Sequence, residues 1–235
     1  MENIIDGLAR FHGEVFPRQQ ALYRRLVHDG QQPQALIISC ADSRVVPELI
    51  TQSGPGELFV CRNAGNIVPP YAQANGGVSS AIEYAVMALQ VRDIVVCGHS
   101  DCGAMKALTQ PETLDSMPNV KAWLRHSQAA QGIVSAAYPG IDEAASLRAL
   151  ALENVLVQLA HLRTHPSVAA AIATGKLTLH GWFFQIETGT VMVYDGARSR
   201  FMPLPQSGPL PVALAPQRRR AIPDSLELVA GHVSQ

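Results

Sequence analysis

His99 and Cys102 stand three residues apart in the run Val95-Val96-Cys97-Gly98-His99-Ser100-Asp101-Cys102-Gly103. Both are zinc-type ligands, and the run reads as a β-branched strand, a glycine turn and a helix start. An open α/β sheet presents its chemistry at the carboxyl ends of its strands. Two ligands do not make a site. A third is offered by Cys40, in Cys40-Ala41-Asp42-Ser43-Arg44, where another apolar run (Ala35 to Ser39) ends. Two thiolates and one imidazole leave a tetrahedral zinc one position short, the pattern of catalytic rather than structural sites. Zinc so held lowers the pKa of a bound water toward ~7. Two thiolates donate more charge than imidazoles do, so the metal would be a weak acid unless a nearby cation or donor offset them.

Asp42 and Arg44 flank the proposed ligand Cys40. An arginine fork can hold a carboxylate bidentately, which keeps Asp42 ionised and able to accept a hydrogen bond from a zinc-bound hydroxide. Were the pair to break, Asp42 would itself be an oxygen ligand for the open position. Each of these residues also has a plainer reading. Cys40 could be a small buried hydrophobe, Asp42 a turn former and Arg44 a surface charge, and Cys102 could serve a thiol-based redox protein. Spacing alone leaves the zinc, redox and structural readings open. Cys97, in mid-strand, reads as an inert core thiol, and Cys61 as the same. Asp101, inside the motif, is not a ligand in this reading, and the remaining histidines form no ligand pattern.

The elements that must position these residues alternate. Strands are expected over 35–39, 57–61, 93–97, 177–186 and 191–194. Continuous apolar runs such as Ala35 to Ile38 suit a parallel sheet buried on both faces. Helices are expected over 1–29 with Pro17 as a break, 47–51, 78–89, 103–109, 120–131 and 142–164, the last stopping before Pro166. Val78, Ala81, Ile82, Ala85, Val86 and Leu89 form one apolar stripe, and Tyr84 lies off it. In the long helix Leu152, Val155, Leu156, Leu159 and Leu162 are the expected core face. Beyond Phe201 the chain turns Pro-rich and irregular. The pattern predicts an α/β fold: a mainly parallel central sheet, flanking helices and a late antiparallel strand.

Bulk composition narrows the class. With 235 residues, 47% hydrophobic and 16% charged, the chain has the makeup of a globular protein with a substantial core. A net charge of -1 offers no field for nucleic acid or an anionic membrane. Arg218-Arg219-Arg220 reads as solvated. No apolar run approaches the roughly 20 residues of a membrane span, and the amino terminus lacks a signal-peptide layout. Four cysteines in so long a chain are no disulfide framework, so a cytoplasmic location is expected.

Cys40-Ala41-Asp42-Ser43-Arg44 together with Gly98-His99-Ser100-Asp101-Cys102-Gly103 resembles the signature pair of the β-class carbonic anhydrases. The resemblance runs on through Pro55 to Phe59, Arg62 to Pro70 and Gly76 to Val86, and covers about residues 1 to 203. It implies a single catalytic domain over 1–203, with 1–29 a helical arm packing on a partner subunit and 204–235 a tail. It implies one Zn2+ per subunit on Cys40, His99 and Cys102, Asp42 and Arg44 as the catalytic pair, and reversible hydration of CO2 to bicarbonate by zinc-bound hydroxide. Phe59, Ala64 and Tyr84 match the family's pocket-lining positions, and Gln31 matches a glutamine that donates to a substrate oxygen. The Gly103 N–H is a further donor.

Family pockets are built between two copies, so a homodimer or larger homo-oligomer is implied. Ile37 stands where one branch of the family has a tryptophan of an inhibitory bicarbonate site. The chain therefore resembles the plant-like branch, with Asp42 kept on Arg44 and Arg62 structural. Among bacterial members it is similar to those that accompany cyanate breakdown. Two alternatives keep the fold: hydrolysis of carbonyl sulfide or carbon disulfide, and a non-catalytic assembly component.

Overall fold

A computed structural model describes residues 1–72, 76–205, 208 and 210–213. The chain opens on helices α1 (Glu2–Arg10) and α2 (Phe16–Asp29), joined by a π-helical turn at Phe11–Val15. Pro17 does not break the helical path as its sequence suggests. It sits in the first turn of α2, where its missing N–H is not needed, and the wide turn before it absorbs the change of register. No residue of this arm is buried, and Ile4, Ile5, Leu8, Phe11 and Val15 face outward.

The body is a six-stranded sheet in the order β2-β1-β3-β4-β5-β6. Its strands are β1 (Ala35–Cys40), β2 (Leu58–Asn63), β3 (Asp93–His99), β4 (Thr178–Gln185), β5 (Thr190–Asp195) and β6 (Arg200–Pro203). The first four are parallel; β5 and β6 are antiparallel additions at one edge. After β1 the chain turns to one side for β2 and crosses to the other for β3. A crevice therefore opens between the carboxyl ends of β1 and β3, at the topological switch point of the sheet.

β1 and β3 are buried along almost their whole length. On one face Leu36, Ile38, Ile94 and Val96 pack under α4 (Gly77–Met87), α8 (Glu143–Leu162) and α9 (Pro166–Ala173). On the other, Ile37, Val95, Cys97 and Phe184 gather around Val45. The short helix α3 (Pro47–Thr51) follows β1, and α5 (Gly103–Thr109) follows β3.

Four local expectations are corrected. Residues 120–131 are not one helix: α6 (Pro118–Leu124) and α7 (Gln128–Ala137) are separated by a 3-10 turn at Arg125–Ser127. α9 restarts one residue after His165, because Pro166 ends one helix and is a favoured opening residue for the next. β6 forms where irregular chain was expected, its exposed ends hiding it from pattern reading. On α8 the buried face is rotated, with Leu152 and Leu156 half-buried and the amides Asn154 and Gln158 inside. The Pro-rich stretch after β6 returns to the sheet, where the Val212 carbonyl accepts from the Gly196 N–H and the Ala213 N–H donates to the Leu179 carbonyl; Arg218, Arg219 and Arg220 lie outside the described residues.

α8 lies close on the sheet because Gly98 has no side chain. A Cβ there would sit 2.7 Å from Val155 Cγ2 and 3.3 Å from the Ala151 carbonyl oxygen. Valine is stiff at χ1 and the carbonyl belongs to the helix, so Gly98→Ala should destabilise the protein by about 1–3 kcal/mol. A lowered urea midpoint with unchanged m-value is the expected readout.

Candidate metal centre

The crevice between β1 and β3 holds Cys40, His99 and Cys102. All three are buried, and their ligand-type atoms lie within 4.8 Å of one another. Cys40 closes β1 and His99 closes β3. Cys102 is the residue just before α5, so the Met105 and Ala104 N–H groups face its sulfur. His99 is turned by its neighbour: Nδ1 lies 2.8 Å from the Ser100 carbonyl oxygen. That bond makes Nδ1 the protonated nitrogen and leaves Nε2 with a free lone pair. Nε2 is buried and has no hydrogen-bond partner among the described residues. An orphaned buried imidazole nitrogen beside two thiols is a site with a cation to receive, and a donor set of two sulfurs and one nitrogen suits zinc.

The two thiols are electrostatically linked. The Cys102 thiol, donating to Cys40, leads the effects that pull the Cys40 thiol below its ordinary range, with His99 and the Gly65 and Asp42 N–H groups helping against burial. The Cys40 thiolate then drives Cys102 up, as does burial. A bound divalent cation would favour the ionised form of both sulfurs. Cys97 behaves as an inert core thiol, its pKa pushed up to about 12, first of all by burial. Cys61 is shifted upward for the same reason.

Above the thiols Arg44 grips Asp42. Nε donates to Oδ1 at 3.0 Å and Nη2 to Oδ2 at 2.8 Å, and the Arg44 backbone N–H adds a third bond to Oδ1 at 3.0 Å. The guanidinium holds the Asp42 carboxyl well below the usual carboxylate range. Arg44 is itself braced from the loop after β3: Nη1 donates to Asp101 Oδ2 at 2.8 Å and Nη2 to the Asp101 carbonyl at 3.2 Å. Lys106 holds the other oxygen of Asp101. Asp101 takes the left-handed conformation at φ 57°, which Asp tolerates better than most residues. Arg62 donates to the Cys40 and Asp42 carbonyls at 3.1 and 2.7 Å, clamping the turn after β1. Ser100 pins the other loop: its N–H bonds the Phe184 carbonyl, and its hydroxyl joins the Ile186 N–H to Glu187.

Of the pocket residues named from sequence, Ala64 and Gly103 stand at this end of the sheet, Ala64 in the loop after β2 and Gly103 next to Cys102. Gln31, Phe59 and Tyr84 do not join them within one chain. Phe59 pairs with Leu36, four residues before Cys40, or roughly 13 Å back along the strand. Tyr84 stacks on Phe59 at 5.9 Å and is 50% exposed. Gln31 lines a hollow with Pro33 and Asp93 at the amino-terminal end of the sheet. The bracing by Asp101, Ser100 and Glu187 has no spacing signature; only the left-handed preference of Asp before Cys102 hints at it.

Three donors able to hold a metal at the switch point of a parallel sheet, with a carboxylate held beside them, form an arrangement that a catalytic metal centre could use. The comparisons give the family. The family model described as carbonic anhydrase matches residues 35–191. A protein named carbonic anhydrase from Pseudomonas aeruginosa is 54% identical over 204 residues, covering 87% of this chain and 92% of that one. The solved β-carbonic anhydrase CcaA is 45% identical, covers 88% of this chain and 92% of its own, and superposes with a TM-score of 0.84. Tetrameric β-carbonic anhydrases of Sordaria macrospora are 30% identical, covering 82% of this chain and 95% of theirs, with a TM-score of 0.72. The chain belongs to the carbonic anhydrase family, and its solved neighbours are of the β class.

Proposed function

We propose that this protein interconverts CO2 and bicarbonate at one zinc per subunit, held by Cys40 Sγ, His99 Nε2 and Cys102 Sγ. The observation that carries the reading is the buried, unpartnered Nε2 of His99 within 4.8 Å of two thiols. When bound, the zinc supplies a Lewis acid that makes hydroxide available near neutral pH. The protein's own residues do the rest. Asp42, kept ionised by Arg44, accepts a hydrogen bond from the reacting water and aims its lone pair at the substrate carbon. Because Arg44 occupies both Asp42 oxygens, the carboxylate stays off the metal, as in the plant-like branch. The Gly103 N–H faces a developing oxyanion, and Ala64 presents apolar surface to CO2.

Gln31, Phe59 and Tyr84 serve the site of a second copy. The exposure of Gln31 and Tyr84 and the distance of all three from their own chain's thiols support this, as does the amino-terminal arm, none of whose residues is buried. Residues 1–203 form one catalytic domain on this reading, and among the described residues no helix is long and apolar enough to cross a membrane. Four free thiols suit a cytoplasmic home.

Stopped-flow CO2 hydration measured beside a zinc count tests the proposal. Hydration well above the buffer rate with one zinc per subunit is expected. One zinc per subunit with no hydration above buffer overturns it.

A further inference from the structure

The loop after β2 carries polar bonds that the proposed reaction does not itself require. The Gly65 N–H donates to Cys40 Sγ at 3.4 Å. That N–H belongs to the Ala64–Gly65 peptide, whose carbonyl oxygen accepts from the indole Nε1 of Trp123 at 2.9 Å. A trans peptide is planar, with C=O and N–H pointing opposite ways. Trp123, by fixing the oxygen, fixes where the N–H points.

The next peptide is held in the same manner. The Gly65 carbonyl accepts from Asn154 Nδ2 at 2.9 Å, Asn154 Oδ1 accepts from Gln158 Nε2 at 2.8 Å, and Gln158 Oε1 accepts from the Val68 N–H at 2.9 Å. Asn154 is 1% and Gln158 0% exposed. Burying a primary amide costs free energy unless it is hydrogen-bonded, and apolar residues would fill this face of α8 without that requirement. What the two amides supply is an anchor for the loop backbone. Gly65 itself is at φ 82°, and a Cβ there would meet Ala104 at 3.1 Å and Met105 at 3.2 Å. The loop is thus seated against the start of α5, and its one N–H to sulfur is aimed from both ends.

We propose that Trp123 and Asn154 are positioning residues that hold the Gly65 N–H on the Cys40 sulfur and so weaken that thiolate as a donor to the metal. This rests on the zinc reading of the Cys40, His99 and Cys102 site. A thiolate that accepts a hydrogen bond gives less charge to its metal, and groups behind the ligands tune a metal centre in this way. Two thiolate ligands would otherwise blunt the Lewis acidity of the ion, and the N–H bond offsets part of that.

Cobalt(II) substitution reads the effect directly, because the energy of the thiolate-to-cobalt charge-transfer band follows how readily the sulfur gives up an electron. Trp123→Phe keeps an aromatic ring while removing the N–H donor; Asn154→Leu keeps a side chain branched at Cγ while removing the second anchor. Both variants are expected to bind one cobalt per subunit with the band moved to longer wavelength. Band positions unchanged in both variants, with cobalt bound, overturn the inference alone. A wild-type protein that takes up no cobalt overturns the metal reading and this inference with it.

Discussion

His99→Ala should remove metal and activity together. Nε2 is one of three donors, and the two sulfurs left behind do not make a catalytic zinc site. The zinc count should fall from one per subunit to near zero, and CO2 hydration to the buffer rate. Cys40→Ser should do the same, because a serine hydroxyl does not ionise to take the place of a thiolate that its neighbours hold below the ordinary thiol range. The loss of metal also has a structural side. His99 is 0% exposed, and its ring fills the crevice between β1 and β3, so truncation leaves a void there. The comparison that separates the two effects is wild-type protein stripped by a chelator: it should lose activity as the variant does, and regain it when zinc is returned. Full activity in His99→Ala, or a zinc count unchanged by it, would exclude the assigned ligand set.

Asp42→Asn is expected to behave differently, keeping the metal and losing turnover. Asn has nearly the shape of Asp but carries no charge, and one of its two polar atoms is a donor. Arg44 then faces an amide instead of a carboxylate, losing half of a bidentate pair that now joins Nε to Oδ1 and Nη2 to Oδ2. On the proposed mechanism, the acceptor that orients the reacting water goes with it. A positioned proton acceptor typically contributes about 10²–10⁴-fold, so kcat should fall by roughly two orders of magnitude or more with the zinc count unchanged. A wild-type rate in the variant would remove Asp42 from the mechanism.

The parts of this protein that can be read from its sequence are those where one chemical requirement dominates. β1 and β3 are legible because a strand buried on both faces must be apolar throughout, and α4 because its buried residues recur at helical spacing. The cluster of Cys40, His99 and Cys102 is legible because His99 and Cys102 fall where a strand meets a helix, and Cys40 where its neighbour ends. Asp42 and Arg44 are legible because a carboxylate two residues from an arginine can close a fork. What escapes is whatever depends on distant backbone. Asn154 and Gln158 interrupt the apolar stripe of α8, so periodicity places Leu152 and Leu156 on the core face in their stead; only the folded loop at Gly65 and Val68 explains why amides are buried there. Trp123 reads as one more aromatic residue of a helix until the Ala64 carbonyl comes into view. The separation of Gln31, Phe59 and Tyr84 from the thiols of their own chain is equally invisible, since no spacing records which end of a sheet a residue occupies.

The order of the strands has a consequence for how the molecule comes together. β1 and β3 are neighbours in space while β2 and α4 intervene in the chain, so their pairing is a long-range event in which loop closure costs entropy before any contact is made. On the proposed zinc reading, an ion held by Cys40 at one strand end and by His99 and Cys102 at the other would join those remote points as a covalent bridge does. It differs from a bridge in being reversible, which ties the persistence of the folded crevice to the availability of metal in the surrounding solution.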